Sequence, residues 1–146
     1  MADYTHILLA IDFSPATESV TRKAMELSRA FKTKLSLVHV VEFTPMNLSN
    51  DMALPQEVEF GQELLEQSKQ RLQQLGKELG IDQSECFITQ GSTRREILHL
   101  AEEQNVDLIV IGSHGRLGIQ RLLGSTANAV LHGAPCDVLS VRIKDE

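Results

Sequence analysis

The sequence has little that would support a disulfide-stabilised or membrane-embedded protein. Its two cysteines, Cys86 and Cys136, lie far apart and form neither a CxxC pair nor a Cys/His ligand pattern. This favours two reduced side chains that act as small hydrophobes. The first apolar run, in MADYTHILLAID, ends at an aspartate, so it is too short to span a bilayer and lacks the pattern of a signal peptide. We therefore expect a cytoplasmic protein without membrane insertion.

Positive charge is also scarce. The chain carries 14 lysines and arginines against 20 acidic residues, a formal net charge of -6, and its basic residues form no run. Such a balance disfavours attraction to phosphate backbones, so no nucleic-acid partner is expected. No internal repeat, low-complexity tract or linker interrupts the 146 residues. That length suits one hydrophobic core, and residues 1–146 are predicted to form a single domain.

The apolar residues change their spacing repeatedly, and this predicts strands that alternate with helices. Buried strands are predicted over residues 6–11, 35–41, 86–89, 106–112 and 138–143. Helices are predicted from residue 16, from about 56 to 80, after Thr93, and around Val130. The fold class is thus α/β, one doubly wound domain with five strands and four helices.

A glycine-rich segment follows the fourth predicted strand. Four glycines fall between positions 112 and 124, and Ser125 and Thr126 then open the last predicted helix. Glycines let backbone N–H groups approach an anion, and a helix N-terminus adds unpaired donors, which together outline a phosphate cradle. The same glycines also suit a plain turn between a strand and a helix, because neither GxxxxGK[ST] nor a clean GxGxxG is present.

Three stretches together resemble the universal stress protein family. They are VIGSHGR followed by LLGS, then APCDVL near the C-terminus, and HILLAIDFS near the N-terminus. LVHV at positions 37–40 fits the same family, so the resemblance covers essentially the whole chain. It implies a five-stranded parallel sheet in the order 3-2-1-4-5, related to the adenine nucleotide α-hydrolase-like group.

The resemblance further implies an ATP site, with AMP and ADP as alternatives and with Mg²⁺. Four residues match positions that face the adenosine: Ala10, Ile11, Asp12 and Val40. Six match positions that hold the ribose and phosphates: Ile111, Gly112, Gly115, Gly124, Ser125 and Thr126. Secondary contacts fall on Ser113, His114 and Arg116. The family pattern G-x2-G-x9-G-[ST] is not fully matched, because eight residues separate Gly115 from Gly124.

From the residues alone, several of these positions have plainer interpretations. Asp12 ends a strand, where a carboxylate suits either a ribose or adenine contact or an ordinary turn or helix cap. His114 and Arg116 suit either phosphate contact or a solvated loop. His39, inside an apolar strand, is interpreted as a hydrogen-bonded core histidine. No histidines show metal-ligand spacing.

Motifs for catalysis are missing from the sequence. It contains no GxSxG or HExxH, no SGGxDS-like loop follows the first strand, and the third strand ends without a phosphoacceptor aspartate. Slow ATP hydrolysis stays compatible with a bound triphosphate. Two functions are therefore carried forward. The first is a regulatory module that binds ATP, and the second is a nucleotide-free dimeric interaction protein of the same fold.

The last predicted strand, with Val138 and Ile143 at its ends, is expected at an edge of the sheet. An unpaired edge strand invites pairing with another chain. Members of the family commonly dimerise through this strand, so the resemblance implies a homodimer.

Overall fold

A computed structural model describes residues 4–15, 17–42, 55–112, 130 and 132–142. It contains one five-stranded sheet in the order β3-β2-β1-β4-β5, with every neighbouring pair parallel. The strands are β1 His6–Ala10, β2 Lys34–Val41, β3 Cys86–Gln90, β4 Leu108–Gly112 and β5 Asp137–Val141. The predicted strand order and parallel arrangement are confirmed.

Helices connect these strands. They are α1 Thr17–Phe31, α2 Pro55–Leu79 and α3 Thr93–Glu103, and a short 3-10 helix, Gln83–Glu85, leads into β3. α2 ends where Gly80 takes a φ of +75°, a left-handed conformation that glycine adopts without steric cost. Of the predicted last helix, only residues 130, 132 and 133 are described, so its bounds lie outside the described residues. No helix in the described ranges is long and apolar enough to cross a membrane.

The sheet is covered on both faces, which explains its continuous apolar strands. On one face Leu9, Leu37 and Val110 pack with Val20 of α1 and Leu72 of α2. On the other face a second cluster joins the sheet to α3 and to Val130. Its buried members are Leu8, Val38, Val40, Ile97, Leu100, Ala101, Val106, Ile109, Ile111 and Val130. Alternate residues of each strand thus point to opposite cores, as the two-residue period of a strand requires.

β4 begins at Leu108, whereas the sequence predicted a start at Val106. The Val106 amide donates to the Ala101 carbonyl at 2.9 Å and so belongs to the end of α3. The Asp107 carboxylate turns back to β1 and accepts from the backbone amides of Thr5 and His6. The predicted strand is therefore two residues too long at its start. The Val106 amide already bonds to α3, and the Asp107 side chain bonds to the backbone of residues 5 and 6.

Candidate functional site

The candidate site lies where β1 and β4 part at the carboxyl end of the sheet. These central strands pair from Ile7 and Leu108 as far as Leu9 and Val110. Beyond that point Ala10 pairs with Val38 of β2, while β4 continues only alongside β5. Among the described residues the two central strands thus separate at the position where the strand order reverses. In open α/β sheets a crevice at this switch point is where ligands bind.

Asp12 stands at the lip of this crevice. Its Oδ1 accepts a hydrogen bond from the Ser14 amide at 2.9 Å, which closes a tight turn after β1. The amide of Thr17 then donates to the Ser14 carbonyl at 3.0 Å, and α1 begins. One carboxylate oxygen of Asp12 thus builds the turn, and among the described residues the other, Oδ2, has no hydrogen bond.

Ile11, the residue before Asp12, is hydrogen-bonded to β2 through both its amide and its carbonyl. The Ile11 amide donates to the Val38 carbonyl at 2.8 Å, which extends the β1–β2 pairing by one residue. The Ile11 carbonyl accepts from Nδ1 of His39 at 2.6 Å, so this ring nitrogen carries the proton. His39 is 9% exposed, and its predicted role as a hydrogen-bonded core histidine is confirmed.

The neighbouring crevice, between β2 and β3, is closed by the chain itself. Glu42 follows β2, and its Oε2 accepts from the Thr93 amide at 3.0 Å and from the Thr93 hydroxyl at 2.5 Å. The Gly91 amide donates to the Val41 carbonyl at 3.1 Å. A carboxylate is thus placed at the N-terminus of α3, where the helix dipole favours negative charge.

The structure brings some of the predicted site residues together. Ala10, Val40 and Ile111 belong to one apolar cluster on the α3 side of the sheet, and Gly112 follows Ile111 at the strand end. Ile11 belongs to the opposite cluster, so it borders the crevice through its backbone. Seven predicted residues lie outside the described residues: Ser113, His114, Gly115, Arg116, Gly124, Ser125 and Thr126.

Neither cysteine has the character of a nucleophile. Burial raises the pKa of the Cys86 thiol, and negative charge on Asp82 and Glu85 raises it further. Burial also raises the pKa of Cys136, to about 11. Both thiols therefore stay protonated near neutral pH, which lowers their reactivity. Within the described residues no three His, Cys, Asp or Glu side chains are grouped to hold a metal ion.

Sequence reasoning missed two features of this edge. The parting of β1 and β4 depends on the pairing of distant strands, for which the sequence carries no local signal. Phe13 adopts a φ of +56°, and its ring packs 4.6 Å from the His39 ring and 4.2 Å below the Arg71 guanidinium. The only local signal is the break in apolar pattern at Asp12 to Pro15, which indicates a turn but not its handedness.

Comparison with known proteins relates the whole chain to one family. The model of the universal stress protein family matches residues 3–142. Universal stress protein A homolog 2 of Coxiella burnetii is 42% identical over 146 residues, covering 99% of each chain. Universal stress protein A homolog 1 of the same organism is 37% identical over 142 residues, covering 97% of this chain and 99% of the relative.

Solved structures agree in fold. Universal stress protein UspA from Lactobacillus plantarum superposes with a TM-score of 0.81 at 25% identity, covering 97% of this chain and all of that one. Hypothetical protein MJ0577 also reaches 0.81, at 28% identity, with 99% and 100% covered. A universal stress protein solved in complex with cAMP shares the fold, with a TM-score of 0.61 at 21% identity and 96% and 98% covered. With its fold, its switch-point crevice and matches along nearly its full length, this chain belongs to the universal stress protein family.

Proposed function

We propose that this universal stress protein is a cytoplasmic, single-domain regulatory module that binds an adenine nucleotide, ATP with Mg²⁺ in the first instance. The observation that carries the proposal is the parting of β1 and β4 beyond Leu9 and Val110. The parting leaves a carboxylate oxygen of Asp12 on one side and Gly112, the entry to the glycine-rich segment, on the other. A ligand that carries both hydroxyl groups and a phosphate would suit these groups, with the hydroxyls at the carboxylate and the phosphate at the glycine-rich segment.

In this proposal the β1 side holds the nucleoside. Ala10 and Val40 offer apolar surface to adenine, and Asp12 accepts a hydrogen bond from a ribose hydroxyl or the adenine amino group. The β4 side holds the phosphates, through Gly112 and the residues that follow it. Those that follow are Ser113, His114, Gly115, Arg116, Gly124, Ser125 and Thr126. Arg116 and His114 would offset phosphate charge, and Mg²⁺ would arrive with the phosphates.

The fit rests on the chemistry of the donor set. Ala10 is partly buried at the strand end and packs against the apolar cluster that contains the buried Val40, so the two would offer apolar surface to a flat ring. The crevice also has a polar wall in the Asp12 turn. Another protein of this fold has been solved with cAMP, an adenine nucleotide, so the fold accommodates the ligand class.

A pair of matched variants tests the proposal. Asp82 makes the same type of side-chain hydrogen bond as Asp12, accepting from the amide of the serine two residues on at 2.8 Å, but it caps the 3-10 helix at the amino end of β3. We expect Asp12→Ala to weaken ATP binding about tenfold or more, because a charged hydrogen bond is lost, and Asp82→Ala to leave it unchanged. Equal affinities in the two variants would contradict a role for Asp12.

Binding itself is measured on the wild-type protein first. Nucleotide released by heat from purified protein is identified by chromatography, and melting is followed with ATP and Mg²⁺. A ligand at about a hundred times its dissociation constant stabilises the folded state by roughly 2.7 kcal/mol. A melting curve that does not move at millimolar ATP, with no nucleotide released, would reject the proposal.

The second candidate is a nucleotide-free dimeric interaction protein, and the edge position of β5 favours it. β5 pairs only with β4 in the sheet order, and its residues from Val138 to Val141 are half-buried. The proposed dimer forms through residues 138–143, of which Ile143 lies outside the described residues. Val141→Asp should give a monomer in sedimentation, since a charge opposes strand pairing. An unchanged dimer would exclude this edge.

A further inference from the structure

Phe13 has a conformation that a bulky side chain rarely adopts. Its φ of +56° lies in the left-handed region, where the β-carbon crowds the backbone. Such a backbone conformation is strained, and it persists only where the surrounding structure determines it. Phe13 directly follows Asp12, so the strain is stored in the turn that presents the carboxylate.

Contacts of the ring explain why the strained turn persists. The Phe13 ring packs against His39 with centroids 4.6 Å apart and planes tilted by 60°. The Arg71 guanidinium carbon also lies over the ring, 4.2 Å from its centroid and within the range of a cation–π contact. We refer to Arg71, Phe13 and His39 as the Phe13 stack. It joins α2, the turn and β2 in one continuous set of contacts.

The Phe13 stack and the Asp12 turn share the same short piece of backbone. His39 holds Ile11 through the 2.6 Å hydrogen bond to its carbonyl. The ring holds Phe13, and the carboxylate holds Ser14 through the 2.9 Å bond from its amide. Residues on both sides of Asp12 are therefore fixed, by contacts that leave its Oδ2 unengaged among the described residues. A residue that only filled space would achieve burial without a left-handed backbone.

We propose that Phe13 is a positioning residue whose ring, through its contacts with Arg71 and His39, fixes the Asp12 turn in the conformation that receives the nucleotide. The proposal rests on the proposed nucleotide site and adds a determinant that does not touch the ligand. It makes helix α2, through Arg71, a contributor to the affinity of a site on the other side of the turn.

The test removes the ring and compares it with an equally apolar neighbour. Leu75 of α2 lines the same groove as Phe13 and packs on the same core, but it is not one of the three residues of the Phe13 stack. We expect Phe13→Ala to weaken ATP binding about tenfold, the combined size of an aromatic pair and a cation–π contact, and Leu75→Ala to leave affinity unchanged. Both variants lower the melting temperature.

Two further variants separate positioning from strain. Phe13→Gly permits the left-handed backbone without cost but removes the ring, so it should lose affinity as Phe13→Ala does. Phe13→Tyr keeps the ring and should retain wild-type affinity. Arg71 is exposed on α2, so Arg71→Gln should preserve folding. We expect this variant to bind ATP about two- to threefold more weakly, because a surface cation–π contact is lost.

A ligand-free measurement distinguishes failure of this proposal from failure of the proposed function. The Ser14 amide is protected by Asp12, so its hydrogen exchange reports on the turn without any nucleotide. Exchange should accelerate about tenfold in Phe13→Ala and remain unchanged in Leu75→Ala. If the wild type binds no nucleotide, the proposed function fails while the exchange result still stands. If it binds and Phe13→Ala changes neither affinity nor exchange, positioning by Phe13 is rejected.

Discussion

The two ends of the sheet use their polar groups in opposite ways. At the amino end, side chains from different strands satisfy one another. His6 Nδ1 lies 3.1 Å from the Gln104 carbonyl, and the Ser36 hydroxyl bridges His6 Nε2 and Glu85 Oε1 at 2.6 Å each. At the carboxyl end, one carboxylate oxygen of Asp12 accepts a hydrogen bond from the Ser14 amide, and the other has none among the described residues. At the carboxyl end Glu42 also accepts hydrogen bonds from Thr93, so the contrast with the amino end rests on the Asp12 carboxylate.

Asp107 shows how complete the closure is. Its carboxylate accepts from the Thr5 amide at 3.0 Å, the Thr5 hydroxyl at 2.9 Å and the His6 amide at 3.0 Å. Burial alone would raise its pKa, but these hydrogen bonds outweigh burial and hold the pKa of Asp107 below its usual value. Polar groups at the amino end therefore contribute to stability, whereas for Asp12 at the carboxyl end we propose a role in recognition. Substitutions should separate the two contributions.

The largest loss of stability is expected from Ser36→Ala. The hydroxyl is fully buried, and its removal leaves both His6 Nε2 and Glu85 Oε1 without their shared partner. We expect about 2–3 kcal/mol less free energy of unfolding in urea, with ATP affinity unchanged. Thr21→Val is the matched control, because the buried Thr21 hydroxyl has no partner among the described residues. It should be neutral or slightly stabilising, and an equal loss in both variants would contradict the closed network.

Asp107→Asn should cost about 1–2 kcal/mol, since an amide replaces a charged acceptor of several donors. The pKa of Asp107 is lowered in the folded state, so its contribution is present above the unfolded value of 3.8 and is lost as the pH falls through the folded pKa. Urea melts across that acidic range should therefore show a flatter pH dependence in the variant. Identical pH profiles for the wild type and Asp107→Asn would show that the Asp107 carboxylate does not contribute to stability at the amino end.

The pH response of His6 should be smaller and should lie closer to neutrality. Burial lowers its pKa, while the Gln104 carbonyl and the charges of Glu85 and Asp107 oppose that shift and Lys34 reinforces it. A histidine with a lowered pKa folds in its neutral form, so stability is present above about 6.5 and falls as the pH drops through the folded pKa. NMR titration of the His6 ring measures the pKa directly. A value above 6.5 would reverse the sign and refute this expectation.

The smallest effect is expected where helices end near the amino end. Lys32, after α1, has a φ of +54°, a conformation that glycine adopts more easily. Lys32→Gly should raise the free energy of unfolding by about 0.5–1 kcal/mol. Gly80→Ala, at the equivalent turn after α2, should lower it by a similar amount. Thermal melts of both variants test the pair, and a loss in Lys32→Gly would show that its side chain contributes more than its backbone costs.

Local patterns were sufficient to predict most of the strands. The apolar run predicted over residues 35–41 is β2 with one further residue, and the third strand is likewise extended by one. Strand ends were less predictable, because they depend on tertiary hydrogen bonds. Val106 and Asp107 were predicted as strand. In the structure the Val106 amide bonds to the last turn of α3, and the Asp107 carboxylate accepts from the His6 amide at the start of β1. The fifth strand ends at Val141, two residues before the predicted limit.

The candidate site was predictable only in part. Asp12 could be proposed because it ends an apolar strand, and Ala10 and Val40 because they match positions of the family pattern; the role of all three stays a prediction. The Phe13 stack could not, since it joins residues 13, 39 and 71, and no short-range rule places them together. The bridge from His6 through Ser36 to Glu85 is equally non-local. Pairwise contacts across the fold are decided by packing, and periodicity does not encode them.

The register of β4 and β5 has a consequence for assembly. Gly112 lies directly beside Val141, so the proposed phosphate entry and the proposed dimer edge are neighbours one strand apart, about 4.8 Å. Two binding events on adjacent backbone are subject to thermodynamic reciprocity: whatever factor nucleotide imposes on dimerisation, dimerisation imposes on nucleotide affinity. If nucleotide binding beside Gly112 and chain pairing at Val141 are coupled, nucleotide would change the dimer association constant, and protein concentration would change how much nucleotide is retained.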